Sequence, residues 1–309
     1  FKTIAYRDDV CMSHKGDLLC AKKYTFYNIY KQRGMKKWMG GIVGLGPVPE
    51  GSADRSDSFI YTMAQEEEIQ KPMFSVYISN NTNETSNIMF GDYNTSFIAG
   101  GDDKAIDWFE LTNKTDFQVD VSWAHFGDKQ LFIHDYRKLS VNLAVPYIGV
   151  DDETYAMISH HLQQIDSSVQ CDAHHCYGTK SVKHYKSTLP DFSIKVSSKV
   201  VYTIPGKTLM DPAGRNSTYT CKFAIFNAKW HFVLGEYFIR NHYTIYDLQN
   251  MRIGIAPLKN FAYHKNEQHE EAAKVDTGKT PQIIIPVANK TIENKTNEKA
   301  TEAPVKKPT

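Results

Sequence analysis

No apolar run in the chain approaches the ~20 residues that a membrane-spanning helix needs. The longest compact apolar cluster near its end, Ile283-Ile284-Ile285-Pro286-Val287, is far too short, so no transmembrane segment is expected. A dominant sign of charge is missing as well: 36 Lys and Arg face 35 Asp and Glu, a net charge of +1. No global field then favours nucleic acid or an acidic membrane surface, and no nucleic-acid partner is expected. A secretory leader is not visible, because the chain opens on Phe1-Lys2-Thr3. The expectation is an N-terminus made by processing, or an upstream part that is missing. Cysteine is sparse, and its count of 5 is odd, so one thiol is left over if two bridges form.

What is present is aromatic and β-branched. The 309 residues are 41% hydrophobic and 23% charged, enough for one large or two medium cores, and they include 18 Tyr and 16 Phe. Asn80, Asn83, Asn94, Asn113, Asn216, Asn289 and Asn294 each head an Asn-x-Ser/Thr sequon. Most sit in polar, turn-like contexts, which predicts a glycosylated protein of the secretory pathway: extracellular, lysosomal or vacuolar, or otherwise lumenal. An Asn- and Thr-rich composition that makes sequons passively is the alternative. Cys11 and Cys20 bracket a short polar loop and could close a small ring. Cys171-Asp172-Ala173-His174-His175-Cys176 reads either as a metal cluster or as a disulfide loop. A structural zinc site needs four placed ligands and no second pair follows, so no metal and no cofactor is expected. A disulfide suits an oxidising compartment.

Gly40-Gly41-Ile42-Val43-Gly44-Leu45-Gly46-Pro47 is glycine-rich, which suggests sharp turns or close backbone approach. It is not a phosphate loop, because no Lys-Ser/Thr follows and no helix start is evident. Residues 58–69 carry a helical pattern, and residues 151–165 fit one amphipathic helix that Asp151 or Asp152 can cap. Short strands are predicted over 74–78, 88–91, 105–111, 117–123, 130–133, 139–145, 192–196, 200–204, 218–226, 230–234, 243–247 and 252–256, with a short helix over 236–242. The fold class is therefore mostly β. After Leu258 the composition turns to Lys, Glu, Asn, Thr and Pro, and residues 259–309 are expected to be a disordered polar tail. Its stretch 282–287 could add to a partner's sheet edge.

The order of several motifs resembles the pepsin-like aspartic peptidase family. Gly40-Gly41-Ile42-Val43-Gly44-Leu45-Gly46 is similar to the segment closing that family's first lobe, with Gly40 where an aspartate is usual. Phe74-Ser75-Val76-Tyr77-Ile78, Phe90-Gly91-Asp92-Tyr93, Trp108 and Phe117-Gln118-Val119 follow in the family's order. Leu189-Pro190-Asp191-Phe192 resembles a second-lobe strand start. Leu234-Gly235-Glu236-Tyr237-Phe238-Ile239-Arg240, then Tyr243-Thr244-Ile245-Tyr246-Asp247 and Ile253-Gly254-Ile255-Ala256-Pro257, carry the strongest likeness. The resemblance implies a bilobal fold with a partial first lobe and a complete second lobe. Residues 1–72 would be the C-terminal part of the first lobe, 73–106 the inter-lobe sheet and 107–258 the second lobe. It also implies a disulfide from Cys221 to Cys171 or Cys176, with Cys176 taken as the partner.

Members of that family use two Asp-Thr/Ser-Gly-Thr/Ser loops whose paired carboxylates activate a water. The flanks Tyr147-Ile148-Gly149-Val150 and Glu153-Thr154-Tyr155 place Asn142-Leu143-Ala144-Val145-Pro146 at the second loop. Asn142 cannot ionise, Leu143 and Val145 lack hydroxyls, Ala144 replaces glycine, and Pro146 lacks an N–H. Val275-Asp276-Thr277-Gly278 spells the triplet but is followed by Lys279 in the polar tail, without flanking apolar strands. The first-lobe aspartate and the flap tyrosine are absent from these residues. The reading is a non-catalytic, glycosylated pseudo-peptidase, a binding or assembly component whose partners are proteins or the missing first-lobe segment. The alternative is an active acid endopeptidase whose missing aspartate lies upstream or whose second loop is atypical.

Overall fold

The computed structural model describes residues 2–14, 17–31, 40–48, 58–79, 83–214 and 217–259. These belong to a unit bounded by Phe1–Tyr263. Asn80, Asn216, Asn289, Asn294, Asp276 and the tail from residue 260 onward lie outside the described residues.

In chain order the elements begin with β1 (Lys2–His14), β2 (Asp17–Lys31), α1 (Phe59–Gln65), β3 (Met73–Tyr77), β4 (Asn87–Phe90) and β5 (Asp107–Glu110). Then come β6 (Gln118–Phe126), β7 (Lys129–Val141), β8 (Ile148–Asp151), α2 (Asp152–Ile165), β9 (Gln170–Cys171), β10 (His175–Gly178) and α3 (Val182–Thr188). The last are β11 (Phe192–Val196), β12 (Val200–Ile204), β13 (Met210–Pro212), β14 (Cys221–Lys229), β15 (Phe232–Leu234), α4 (Glu236–Ile239), β16 (His242–Asp247) and β17 (Arg252–Pro257). The mostly-β class holds.

Strands β1 and β2 form a two-stranded antiparallel hairpin. Ile4, Tyr6, Tyr27 and Tyr30 on it are exposed, while Ala21 is buried. The hairpin docks through Tyr24, whose ring meets Phe59 of α1 edge-on at 5.5 Å, and through Lys22, which pairs with Glu68 at 3.2 Å. The glycine-rich stretch behind it differs from expectation. Among the described residues a Cβ at Gly40, Gly41, Gly44 or Gly46 would meet nothing within 4 Å, so no close approach to them demands glycine there.

Five strands in the order β4-β3-β16-β17-β5 make a second sheet. All six residues of β16 are buried, so it takes a central place between β3 and β17, as a strand covered on both faces does. Segment 73–106 therefore does not form this sheet alone. Tyr246 of β16 stacks on Phe74 at 4.4 Å, and Phe117 meets Tyr246 edge-on at 4.7 Å, tying this sheet to the strand that follows Phe117.

The third sheet has ten strands, in the order β12-β11-β6-β7-β15-β8-β14-β10-β9 with β13 on β14. Its centre is crossed: β15 runs parallel to β7 and antiparallel to β8, lying between two strands that are neighbours in sequence. The predicted strands 130–133 and 139–145 are one strand, β7, which ends at Val141. Helix α2 covers the sheet as its period predicts, with Tyr155, Ile158 and Leu162 buried. Asp151 caps it, accepting from Thr154 N at 2.9 Å. Arg137 of β7 locks that end, donating to Asp151 at 2.6 Å, Glu153 at 2.9 Å and Thr154 Oγ1 at 3.0 Å.

The disulfides require a correction. Cys11 and Cys20 are bonded, but Cys171 is bonded to Cys176, and Cys221 is a buried free thiol. The predicted Cys176–Cys221 bridge is absent for a reason of register. The β9–β10 ladder sets Cys171 opposite Cys176, with their Cα atoms 4.0 Å apart. The residue of β10 facing Cys221 is Gly178, which has no sulfur to offer. The Tyr185 ring fills that space: a Cβ on Gly178 would lie 2.3 Å from Tyr185 Cε2 and 2.8 Å from Cys221 Sγ. Burial raises the Cys221 pKa, which keeps it a protonated, apolar filler.

Tyr185 also donates to buried Asp166 at 2.7 Å, and Lys180 pairs with the same carboxylate at 3.1 Å. Burial alone would raise the Asp166 pKa. Hydrogen bonds from Tyr185, Ser168 and Lys180 outweigh it and hold the carboxyl well below the usual carboxylate range. A depressed native pKa contributes stability that is full above the unfolded value, about 3.9 for Asp, and fades as pH falls toward the native value. Asp166→Asn is expected to cost about 2–3 kcal/mol in urea melts at pH 7, with the gap to wild type narrowing below pH 4. Peptide mapping of thiol-blocked protein should recover Cys171 linked to Cys176 and label Cys221 only after denaturation.

Candidate functional site

Strand β7 delivers Asn142 to the crossing point of the large sheet. Asn142 N donates to Leu234 O, the last residue of β15, at 3.0 Å. Its side-chain Oδ1 accepts from Ala144 N at 2.9 Å, and its carbonyl accepts from Val145 N at 3.3 Å, so the chain turns at once. The returning limb is held by α4: Glu236 N donates to Val145 O at 2.8 Å and Tyr237 N to Pro146 O at 3.0 Å. Gly235 lies under this limb, where a Cβ would sit 2.3 Å from both the Val145 and the Tyr147 carbonyl oxygens. Here glycine is required by space.

Every hydrogen bond in this frame is made by backbone atoms, except the one that Asn142 Oδ1 accepts. A carboxylate oxygen would accept that bond equally well. The frame is therefore indifferent to most of its side chains. Its chemistry is not: the loop carries a carboxamide, Leu143 packs against the core, and no group on residues 142–147 titrates in the acid range. Behind it, Ser140 Oγ donates to Asp116 Oδ2 at 2.7 Å.

Beside the loop lies an aromatic patch that sequence reasoning did not single out. Tyr147 OH donates to Asp211 Oδ2 at 2.8 Å, and Tyr237 OH donates to the other oxygen of the same carboxylate. Burial, reinforced by that carboxylate, pushes both phenols well above their usual range. Lys222 Nζ lies 4.7 Å from the Tyr147 ring centre, and burial lowers its pKa. The His175 ring stands 6.0 Å from Tyr147 and 6.0 Å from Phe226. Burial, with Lys222 nearby, lowers the His175 pKa and favours the neutral imidazole. Tyr177 stacks on Tyr219 at 4.7 Å and donates to Asp172, whose pKa is lowered first by the His174 and His175 backbone amides. Strands β10, β13, β14 and α4 converge here, so residues scattered from 147 to 237 become neighbours. The abundance of tyrosine was the only sequence signal.

The other sequence-derived candidates are dispersed. Asn83 is exposed, and Asn94 and Asn113 are half-buried at turns. Asn113 Oδ1 accepts from Thr115 N and Oγ1, at 2.9 and 2.8 Å, within its own sequon. Asp151 is a helix cap, and Asp152 accepts from Asn227 at 2.7 Å. Among the described residues no group of three or more His, Cys, Asp or Glu is placed to hold a metal. No helix among them is long and apolar enough to cross a membrane.

A family model described as eukaryotic aspartyl protease matches residues 16–258. The chain is 23% identical over 227 residues to pepsin A of Gallus gallus, covering 71% of this chain and 55% of that protein. It is 22% identical over 224 residues to pregnancy-associated glycoprotein 4 of Ovis aries, covering 70% and 54%. Cathepsin E of Oryctolagus cuniculus is 24% identical over 240 residues, covering 70% and 53%. The chain thus spans about half the length of the curated relatives it matches.

Because the space under the loop admits no side chain, Gly235→Ala is expected to destabilise the fold by about 2–3 kcal/mol. Urea unfolding against wild type measures it, and a change below about 0.5 kcal/mol would mean the loop moves freely.

Proposed function

The chain belongs to the eukaryotic aspartyl protease family, and from that membership we propose that it is a non-catalytic, glycosylated member that binds a peptide or protein segment along the 142–147 loop without cleaving it. The observation that carries this is Asn142. It occupies the turn that would aim a carboxylate, within a frame of intact backbone hydrogen bonds. Peptide hydrolysis of this kind needs two carboxylates sharing a proton, one acting as base and one as acid. A carboxamide takes neither role, and Leu143 and Val145 remove the hydroxyls that would orient one.

Binding needs less. Leu143 and Val145 offer half-buried apolar contact, while Tyr147 at the loop's end, Tyr237 on α4, His175 on β10 and Lys222 on β14 add polar groups. An apolar surface with a few convergent polar groups suits a ligand that must be held rather than transformed. We place residues 1–72 in a first lobe, 73–106 in the inter-lobe sheet and 107–258 in the second lobe. Protein partners, or a first-lobe segment carried upstream or on another chain, would complete the cleft. The disulfides Cys11–Cys20 and Cys171–Cys176 support an oxidising, secretory location, as do the sequons.

The retained frame favours one competing reading, an acid endopeptidase whose other aspartate lies upstream. The two are separated by assaying protein from its native source on denatured haemoglobin at acid pH, with and without pepstatin. No pepstatin-sensitive cleavage is expected, and such cleavage would overturn the proposal. Asn142→Asp alone should not create activity, since Leu143, Ala144, Val145 and Pro146 still lack the hydroxyls and the glycine.

A further inference from the structure

A second concave site lies between α1 and the turn joining β16 to β17, and no residue of the 142–147 loop or its aromatic patch lines it. The cavity has a volume of about 330 Å³. Tyr61 and Ala64 of α1, with Leu248 and Met251 of the turn, give it apolar walls. Val48 and Pro72 add to these walls, and Gln65, Lys114 and Gln249, all exposed to solvent, complete the lining.

The walls are fixed. Tyr61 OH donates to Leu248 O at 2.9 Å, and Leu248 N donates to Pro72 O at 3.0 Å. The turn is held by Asp247, which accepts from Asn250 N at 3.0 Å, Asn250 Nδ2 at 2.8 Å and Arg252 Nε at 2.8 Å. A cavity with pre-ordered walls loses little freedom when it is filled. The same contacts settle the charge. Asp247 is neutralised in place by Arg252, so Lys114 is the one charged side chain among the lining residues. Lys114 makes no ion pair or hydrogen bond with a described residue, and neither do the Gln65 and Gln249 amides.

A pocket whose lining is about half polar and half apolar, with one uncompensated cation and two amides among its polar groups, matches an amphipathic anion. At the roughly 30 Å³ that a water takes in the liquid, the cavity holds about ten non-hydrogen atoms. That is the low end of ligand pockets. We propose that this cavity binds a medium-chain monocarboxylate, its head on Lys114 with the Gln65 and Gln249 amides, and its chain against Tyr61, Ala64, Leu248 and Met251. This site is independent of what the 142–147 loop binds.

Calorimetric titration of the full chain with octanoate, 1-octanol and octylammonium tests the assignment. Saturable one-site binding of octanoate is expected, about tenfold tighter than octanol, with no binding of octylammonium. Lys114→Gln, which keeps the Asn113 sequon, should bring octanoate down to the octanol level and leave octanol unchanged. Ala64→Leu fills the cavity without harming the helix and should abolish binding of both, with an unchanged circular dichroism spectrum as the check on folding. The proposal is overturned if octanoate does not saturate by millimolar concentration. It is equally overturned if octanoate affinity survives either substitution.

Discussion

The backbone crossing at β15 is the constraint on which the rest of the large sheet depends. A strand of three residues, Phe232–Leu234, lies between β7 and β8 and bonds to both. It can do so only if the chain joining β7 to β8 loops over its end. Gly235 lets that loop close down, because any side chain there would strike the Val145 and Tyr147 carbonyls. Once the crossing is made, Asn142, Val145 and Pro146 have their hydrogen-bond partners assigned by backbone alone. Backbone polar groups drawn into the sheet must be paired, so the loop conformation follows from the crossing and, of its own side chains, uses only Asn142.

Under the proposed function, that separation is what would let a family member's loop change its chemistry and keep its shape. Leu143, Ala144, Val145 and Pro146 offer no hydroxyl, and Pro146 no N–H, yet none of the frame's bonds calls for one. The pressure on the region then falls on neighbours. Tyr147 and Tyr237 share Asp211, and Lys222 lies over an aromatic ring with no carboxylate in ion-pair contact among the described residues. Asp211 and Lys222 are carried by β13 and β14, Tyr237 by α4 and Tyr147 by the last residue of the loop, and together they give this surface its polarity.

Much of this was legible in the sequence. The strand and helix periods of 152–165, 192–204 and 242–257 are strong because each element buries one face or both. The Leu234-Gly235-Glu236 motif carried the family likeness, while the crossing it ends on was not read from it. Other parts were not legible for physical reasons. Helix α3 buries only Tyr185, so it has no apolar period to read. The Cys171–Cys176 bond depends on the register of a two-residue strand, β9, which no local pattern specifies. The Tyr147, Asp211, Lys222 and Tyr237 cluster is assembled across four elements, and long-range pairing carries no signature in any one window. The 330 Å³ cavity likewise arises where α1 meets a distant turn.

The central claim is that the frame around Asn142 is set by backbone and outlasts its side chains. Replacing Asn142-Leu143-Ala144-Val145-Pro146 together with Asp-Thr-Gly-Thr-Ser, and measuring thermal unfolding and amide exchange, tests it most directly. The account requires a melting temperature within a few degrees of wild type and undiminished protection of the Asn142, Glu236 and Tyr237 amides. Unfolding of the variant, or loss of protection at those amides, would contradict it.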